Sequence, residues 1–77
     1  MKVYIVTQSY DYETTEILGV FKDKMKAKLF MSDNASKMRI ESGEESASWT
    51  GETKGHKFQT IKIGDCAFVT TEWGAVE

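Results

Sequence analysis

The pattern of apolar and polar residues at the start of the chain predicts two strands. Residues 2–6 (Lys-Val-Tyr-Ile-Val) carry apolar side chains on both faces, which favours a strand in the interior of a sheet. Residues 8–15 are polar and are expected to connect this strand to a second, antiparallel one at 16–21. Gly19 within the second strand indicates a β-bulge or a neighbour packed against the backbone.

A helix is expected next, because glycine is absent from residues 22–42. Asp23 is the predicted N-cap and Gly43 the predicted end. The weak helix formers at 32–34 leave a bend or break open. One stripe at helical spacing is expected to face the core: Ala27, Phe30, Met31, Asn34 and Met38.

The remaining chain predicts a hairpin preceded by an ambiguous segment. Residues 44–55 are polar around Trp49, which is compatible with a short edge strand at 47–50 or with a mobile loop. Residues 57–63 and 66–73 flank Gly64-Asp65, a two-residue loop that suits a type II′ or I′ turn. The resulting register predicts four cross-strand pairs on the face that a helix would cover: Ile63–Cys66, Ile61–Phe68, Gln59–Thr70 and Lys57–Glu72. The opposite face is mixed and expected to be more exposed: Phe58, Thr60, Lys62, Ala67, Val69 and Thr71.

The expected fold is a single α+β domain over residues 1–77. An antiparallel sheet of four or five strands, in the order β-β-α-(β)-β-β, would carry one helix on one face, since only the helix stripe can cover the apolar side of the hairpin.

Composition narrows the class of protein. The chain has 77 residues, 10 basic and 12 acidic side chains, one cysteine and one histidine. A single cysteine cannot close an internal disulfide, and one histidine with one cysteine is too few for a conventional zinc site. No apolar run approaches the roughly 20 residues of a membrane span, and the N-terminus leads into a strand pattern rather than a signal peptide. We therefore expect a cytoplasmic protein with no metal, cofactor or membrane association.

No catalytic constellation is apparent in the sequence. The hairpin register separates Cys66 from His56 by more than about 20 Å, whereas a nucleophile and its base lie about 3 Å apart. His56 is expected to be solvated in a loop and Cys66 to lie in the core. The carboxylates Asp11, Glu13 and Glu16 lack the spacing of a calcium loop. These observations predict a protein that is not an enzyme.

Charge is segregated along the chain. Residues 22–39 contain six basic and two acidic residues, a net charge of +4, and the remaining four basic and ten acidic residues give −6. Four lysines in the first turns of the predicted helix oppose the helix dipole, which is consistent with an anionic partner. A solvated helix face is the alternative. The residues concerned are Lys22, Lys24, Lys26 and Lys28.

Four aromatic residues lie in polar surroundings: Tyr10, Tyr12, Trp49 and Trp73. Tyrosine and tryptophan in such positions often anchor protein interfaces, although each could also fold over an edge of the core. Asp11 and Glu13 flank the tyrosines and would repel phosphates, so a protein partner is favoured. We thus predict protein binding through Tyr10, Asp11, Tyr12 and Glu13 with Trp49 or Trp73. Nucleic-acid binding by the basic helix at 22–39, and a homodimer through an open sheet face or edge strand, remain alternatives.

Residues 1–35 contain a Lys-Val-Tyr strand at 2–6, a Ser-Tyr-Asp-Tyr-Glu loop at 9–13, and Gly-Val-Phe at 19–21 before a Lys-Ala helix start. In these features the segment resembles a group of small uncharacterised proteins from bacteria and their phages. The resemblance implies a ββαββ-type domain without established activity and an origin in a phage or mobile element. It further implies a non-enzymatic inhibitor of a host complex, including defence systems, acting in the bacterial or infected-host cytoplasm.

Overall fold

The computed structural model describes residues 2–10 and 14–74. The described chain forms one five-stranded antiparallel sheet in the order β2-β1-β5-β4-β3, with a helix packed on one face. This confirms the predicted α+β architecture. The elements, in chain order, are β1 (Lys2–Tyr10), β2 (Thr14–Phe21), α1 (Lys24–Ser42), β3 (Ser46–Thr53), β4 (His56–Ile63) and β5 (Cys66–Gly74).

The first two strands are longer than predicted. β1 is an interior strand, as expected, but it continues to Tyr10, and β2 begins at Thr14. The prediction that residues 8–10 and 14–15 belong to a connection was therefore wrong. They are strand residues despite their weak apolar pattern, because β1 pairs with β5 on one side and with β2 on the other. The ladder shifts register between Val6 and Thr7, which confirms the bulge near Gly19. A Cβ at Gly19 would lie 2.9 Å from the ring of Phe21, so the close neighbour is confirmed as well.

The helix has both predicted caps. The Asp23 carboxylate accepts hydrogen bonds from the backbone N–H groups of Met25 (2.8 Å) and Lys26 (3.4 Å). Gly43 ends the helix in the left-handed conformation, with φ 71°. The helix is continuous through 32–34, so the bend that the sequence left open does not occur.

The buried stripe of α1 differs slightly from the prediction. Ala27, Met31 and Ala35 are buried, whereas the predicted Phe30, Asn34 and Met38 are half-buried. Ala35 was missed because alanine carries a weak hydrophobic signal. Its small side chain nevertheless lets the helix approach the sheet closely.

Two tight hairpins form the second half of the sheet. Lys54 and Gly55, with φ 53° and 80°, connect β3 to β4, a pair of positive φ angles typical of a type I′ turn. Gly64 (φ 58°) opens the predicted turn between β4 and β5. The segment around Trp49 is thus an edge strand, longer than the predicted one. Three of the predicted pairs are present in the β4–β5 ladder: Ile63–Cys66, Ile61–Phe68 and Gln59–Thr70.

The core lies between the sheet and the helix. Buried side chains of the sheet meet the buried stripe of α1, which packs against β1, β2, β4 and β5 while β3 forms the edge beyond it. The buried Thr70 hydroxyl donates a hydrogen bond to the sulfur of Met31 at 3.1 Å. The sheet contributes Val6, Ile63, Cys66 and Phe68 to this core.

Candidate functional site

Within the described residues, α1 covers one face of the sheet and no element packs on the other. We call this uncovered face the open face. Because side chains alternate along a strand, it comprises the odd-numbered residues of β1, β3 and β5, the even-numbered residues of β4, and Thr15, Ile17 and Val20 of β2.

The open face is almost free of charge. His56 and Lys62 are the only ionisable side chains among its described strand residues, and Lys54 of the β3–β4 turn borders it. Glu16, Glu52, Lys57 and Glu72 lie on the helix side. Antiparallel sheets that meet water usually present polar side chains there. Besides threonines and a serine, this face exposes four large apolar side chains: Ile17 (67%), Val20 (59%), Trp49 (47%) and Trp73 (41%).

A shallow depression of about 420 Å³ lies on the open face beside Trp73. The rings of His56 and Trp73 pack together with their centroids 4.0 Å apart, and Phe58 and Val69 line the same depression. His56 is therefore a half-buried strand residue, and its assignment to a solvated loop was wrong. Thr60 is buried, contrary to the exposure expected of this face, because it lies between Trp49 and Val69 in the ladder.

The structure separates the predicted protein-binding residues. Trp49 and Trp73 share the open face, but Tyr10, although exposed as expected (46%), lies on the helix side opposite Cys66. The predicted residues Asp11, Tyr12 and Glu13 lie outside the described residues. The structure thus places the two tryptophans on the same face of the sheet and Tyr10 on the other.

Tyr10 belongs to a small polar cluster at the end of β1. The Gln8 side-chain amide donates hydrogen bonds to the Tyr10 hydroxyl at 2.6 Å and to the Cys66 sulfur at 3.3 Å. Desolvation, followed by the neighbouring Cys66, raises the pKa of Tyr10. Cys66 is buried in the core, as predicted, and lies at the opposite end of the hairpin and on the opposite face from His56. A Cys–His dyad is excluded by this geometry.

The four predicted lysines of the helix start are all exposed, but they face different surroundings. Lys24 and Lys28 border a groove of about 460 Å³ between α1 and the β3–β4 hairpin, and Lys22 and Lys26 do not line it. The groove also contains Lys57, Glu52 and Glu72. Its net charge is therefore small, although its wall on α1 is basic.

Glu72 is held by two partners on β1. It accepts a hydrogen bond from the Tyr4 hydroxyl at 3.2 Å and forms an ion pair with Lys2 at 3.6 Å, rather than with the predicted Lys57. Desolvation raises the pKa of Glu72. The hydrogen bond from Tyr4 and the charges of Lys2, Lys24 and Lys57 together lower this pKa by more, so the net shift is downward. Desolvation and the same hydrogen bond raise the pKa of Tyr4.

We predict that Glu72→Gln destabilises the protein more at neutral pH than in acid. Because the folded-state pKa of Glu72 is below its ordinary value of 4.5, its carboxylate stabilises the fold above that pH. This stabilisation is lost as the pH falls through the folded-state pKa. Urea unfolding of both proteins at pH 7 and pH 3 measures the effect, and Glu41→Gln, at the exposed end of α1, is the control. An equal difference at both pH values would contradict the prediction.

Other site types find no support within residues 2–10 and 14–74. These residues contain no group of three or more histidine, cysteine, aspartate or glutamate side chains placed to hold a metal ion. Within the same residues, α1 is too polar to cross a membrane.

Comparison with known proteins identifies the family. Residues 1–53, which extend from the first strand to the last residue of β3, match the family described as Domain of unknown function (DUF7336). No curated protein and no solved structure matches the chain. The family match covers more than half of the chain and agrees with the resemblance to uncharacterised proteins. The chain therefore belongs to the DUF7336 family of domains of unknown function.

Proposed function

We propose that this domain is a non-enzymatic module that binds another protein through its open face. The observation that carries the proposal is the near absence of charge on this face, together with the exposure of two tryptophans and two aliphatic side chains. Apolar patches of this kind are uncommon on surfaces that remain in water and often mark interaction sites. Trp49 and Trp73 are the expected anchors, since tryptophan is enriched among residues that dominate binding energy.

The shape of the open face also favours a protein partner. Its depression beside Trp73 has apolar walls and can accept a side chain from a partner. Binding energy at protein interfaces concentrates where an anchor fills such a pocket. A nucleic acid, by contrast, needs cations along its phosphates, and Lys62 is the lysine that this face provides within the described strands.

The resemblance to phage proteins supports a more specific proposal about the partner. A phage or mobile-element origin favours a component of a bacterial host complex, such as a defence system, which the domain would inhibit by covering its surface. The proposal of inhibition depends on this resemblance, whereas the proposal of protein binding depends on the open face.

Replacing both tryptophans should abolish partner capture. We expect Trp49→Ala/Trp73→Ala to weaken binding by at least about 30-fold, since even one interface anchor of this type contributes about 2 kcal/mol or more. The measurement is affinity capture from bacterial lysate with the wild-type protein, followed by mass spectrometry and titration of the captured partner against the variant. Circular dichroism must show that the variant retains its secondary structure.

A matched control removes apolar area from the other side of the molecule. Leu29 and Ile40 are exposed on α1, at 57% and 78%. The double variant Leu29→Ala/Ile40→Ala should therefore leave capture unchanged. If this control abolishes capture while the tryptophan variant does not, the interface lies on the helix and the proposal for the open face is wrong.

Two alternatives from the sequence remain predictions with simple tests. Nucleic-acid binding by the basic helix predicts a gel shift with DNA or RNA at low ionic strength that disappears as salt is added. A homodimer through the open face predicts twice the monomer mass in light scattering, and the mass should return to that of a monomer in the tryptophan variant.

A further inference from the structure

Two depressions lie one after the other on the helix side of the molecule, between α1 and the edge strand β3, and we call them together the trough. It consists of the groove of about 460 Å³ beside Lys24 and a second depression of about 200 Å³ nearer the end of the helix. On α1, the residues that line the second depression begin one turn after those that line the groove. On β3 and β4, they begin two residues away from those that line the groove. The wall on α1 is a single stripe at helical spacing: Lys24, Lys28, Ser32, Ser36 and Arg39.

The dimensions of the trough suit an extended chain. From Lys24 to Arg39 the helix rises about 22 Å, at 1.5 Å per residue. An extended peptide advances about 3.3 Å per residue, so six or seven residues span this length. The opposite wall consists of even-numbered residues of β3, which are serine, threonine and glutamate and leave room for a ligand.

The charges of the trough favour an acidic occupant. Lys24, Lys28 and Arg39 are exposed on the α1 wall and form no ion pair with any residue within 2–10 or 14–74. The acidic residues Glu52 and Glu72 line only the end near Lys24, and Glu72 is already engaged by Tyr4 and Lys2. Together the two depressions carry four basic and two acidic side chains, a net charge of +2, which favours carboxylates of a ligand.

The floor of the trough adds apolar features. Ile61 and Ile63 of β4 line the second depression, where they can contact an apolar side chain.

We propose that the trough binds an extended acidic peptide segment of another protein, about six or seven residues long with apolar residues interspersed. A peptide can place a neutral residue beside Glu52 and Glu72, whereas a nucleic acid carries a phosphate at every nucleotide and would be repelled there. The trough lies on the opposite side of the sheet from the open face. The inference is therefore independent of the proposed function.

Nuclear magnetic resonance of the full chain tests the proposal with a defined probe. The probe is the heptapeptide acetyl-EEIEEIE-amide, and the charge-reversed control is acetyl-KKIKKIK-amide. We expect saturable shifts of the backbone amides at Lys28, Ser36 and Gln59 with the acidic peptide and none with the basic one. The variant Lys24→Glu/Lys28→Glu should weaken binding at least about tenfold, since truncating or reversing charges that face a ligand removes electrostatic complementarity.

A second variant separates the trough from the general charge of the helix. Lys26→Glu/Lys37→Glu changes the net charge equally, and neither residue lines the trough. It should bind the acidic peptide within about threefold of the wild-type protein, because distant exposed charges are screened. Equal loss in both variants, no saturable binding, or tighter binding of an eight-nucleotide oligothymidylate at the same amides would overturn the proposal. Trp49→Ala/Trp73→Ala should bind the peptide normally, so failure here is distinguishable from failure of the open face.

Discussion

Replacing Phe68 with alanine should lower the free energy of unfolding by about 3–5 kcal/mol. Phe68 lies on the central strand β5 and is only 2% exposed, packed in the core between the sheet and α1. The loss combines the transfer of the ring to water with the cavity that remains. A domain of this length has about 4–12 kcal/mol of stability in total, so a large fraction of the variant should be unfolded at physiological temperature.

Phe58→Ala is the matched control for this prediction. It makes the same substitution on the neighbouring strand β4, but Phe58 is half-buried on the open face. We expect a smaller loss and a cooperative unfolding transition. Urea unfolding monitored by circular dichroism compares the two variants. Equal losses would show that the open face contributes to stability as strongly as the helix side does. This result would contradict the placement of the core between the sheet and α1.

The sequence predicted most of the fold because its strongest signals are local. Gly64-Asp65 set the register of the last hairpin, and Asp23 and Gly43 bracket the helix, since turn and cap residues act over a few positions. The bulge at Gly19 was recognised for the same reason. These residues specify backbone conformations that tertiary contacts do not override.

The edge strand β3 was predicted only as an alternative, because its stability comes from pairing with β4 and not from its own side chains. Ser46–Thr53 consists mainly of small and polar residues and exposes almost every side chain. It forms because β4 offers a free edge and because the turn at Lys54 and Gly55 adopts positive φ angles. Lysine is an unusual residue for such a conformation. The turn signal was therefore weaker than that of the second hairpin.

The candidate site was predicted only in part, because it depends on which residues share a face. Trp49 and Trp73 are far apart in sequence and share the open face because β3, β4 and β5 are paired. Ile17 and Val20 join them only because the bulge changes the alternation within β2. A strict period of two would place these two residues on opposite faces. The aromatic signal thus identified the tryptophans but not their aliphatic neighbours.

The two faces of the sheet divide the polar residues in an unusual way. The face that packs against α1 carries most of the charged strand residues at its margins, whereas the open face is nearly uncharged. A domain that remained alone in water would gain solubility from the reverse arrangement. The distribution favours a partner on the open face, and it leaves the charged margins of the helix side to form the trough.

Met31→Ala should destabilise the protein by about 2–5 kcal/mol, because Met31 is 1% exposed at the centre of the helix stripe. The variant would also leave the buried Thr70 hydroxyl without its sulfur acceptor. A buried polar group that loses its partner costs about 1–3 kcal/mol. The expected total therefore includes a cavity and an unpaired hydroxyl.

Two further variants separate these contributions. Met31→Leu nearly preserves the side-chain volume but removes the acceptor, so it should cost less than Met31→Ala, on the order of 1 kcal/mol. Thr70→Val removes the donor while keeping the shape of the side chain. In the double variant Met31→Leu/Thr70→Val no hydroxyl is left unpaired, and we expect it to be at least as stable as Met31→Leu alone. Urea unfolding of the four proteins measures the coupling. If the double variant loses the sum of both single losses, the hydroxyl and the sulfur do not interact, and the cost of Met31→Ala comes from the cavity.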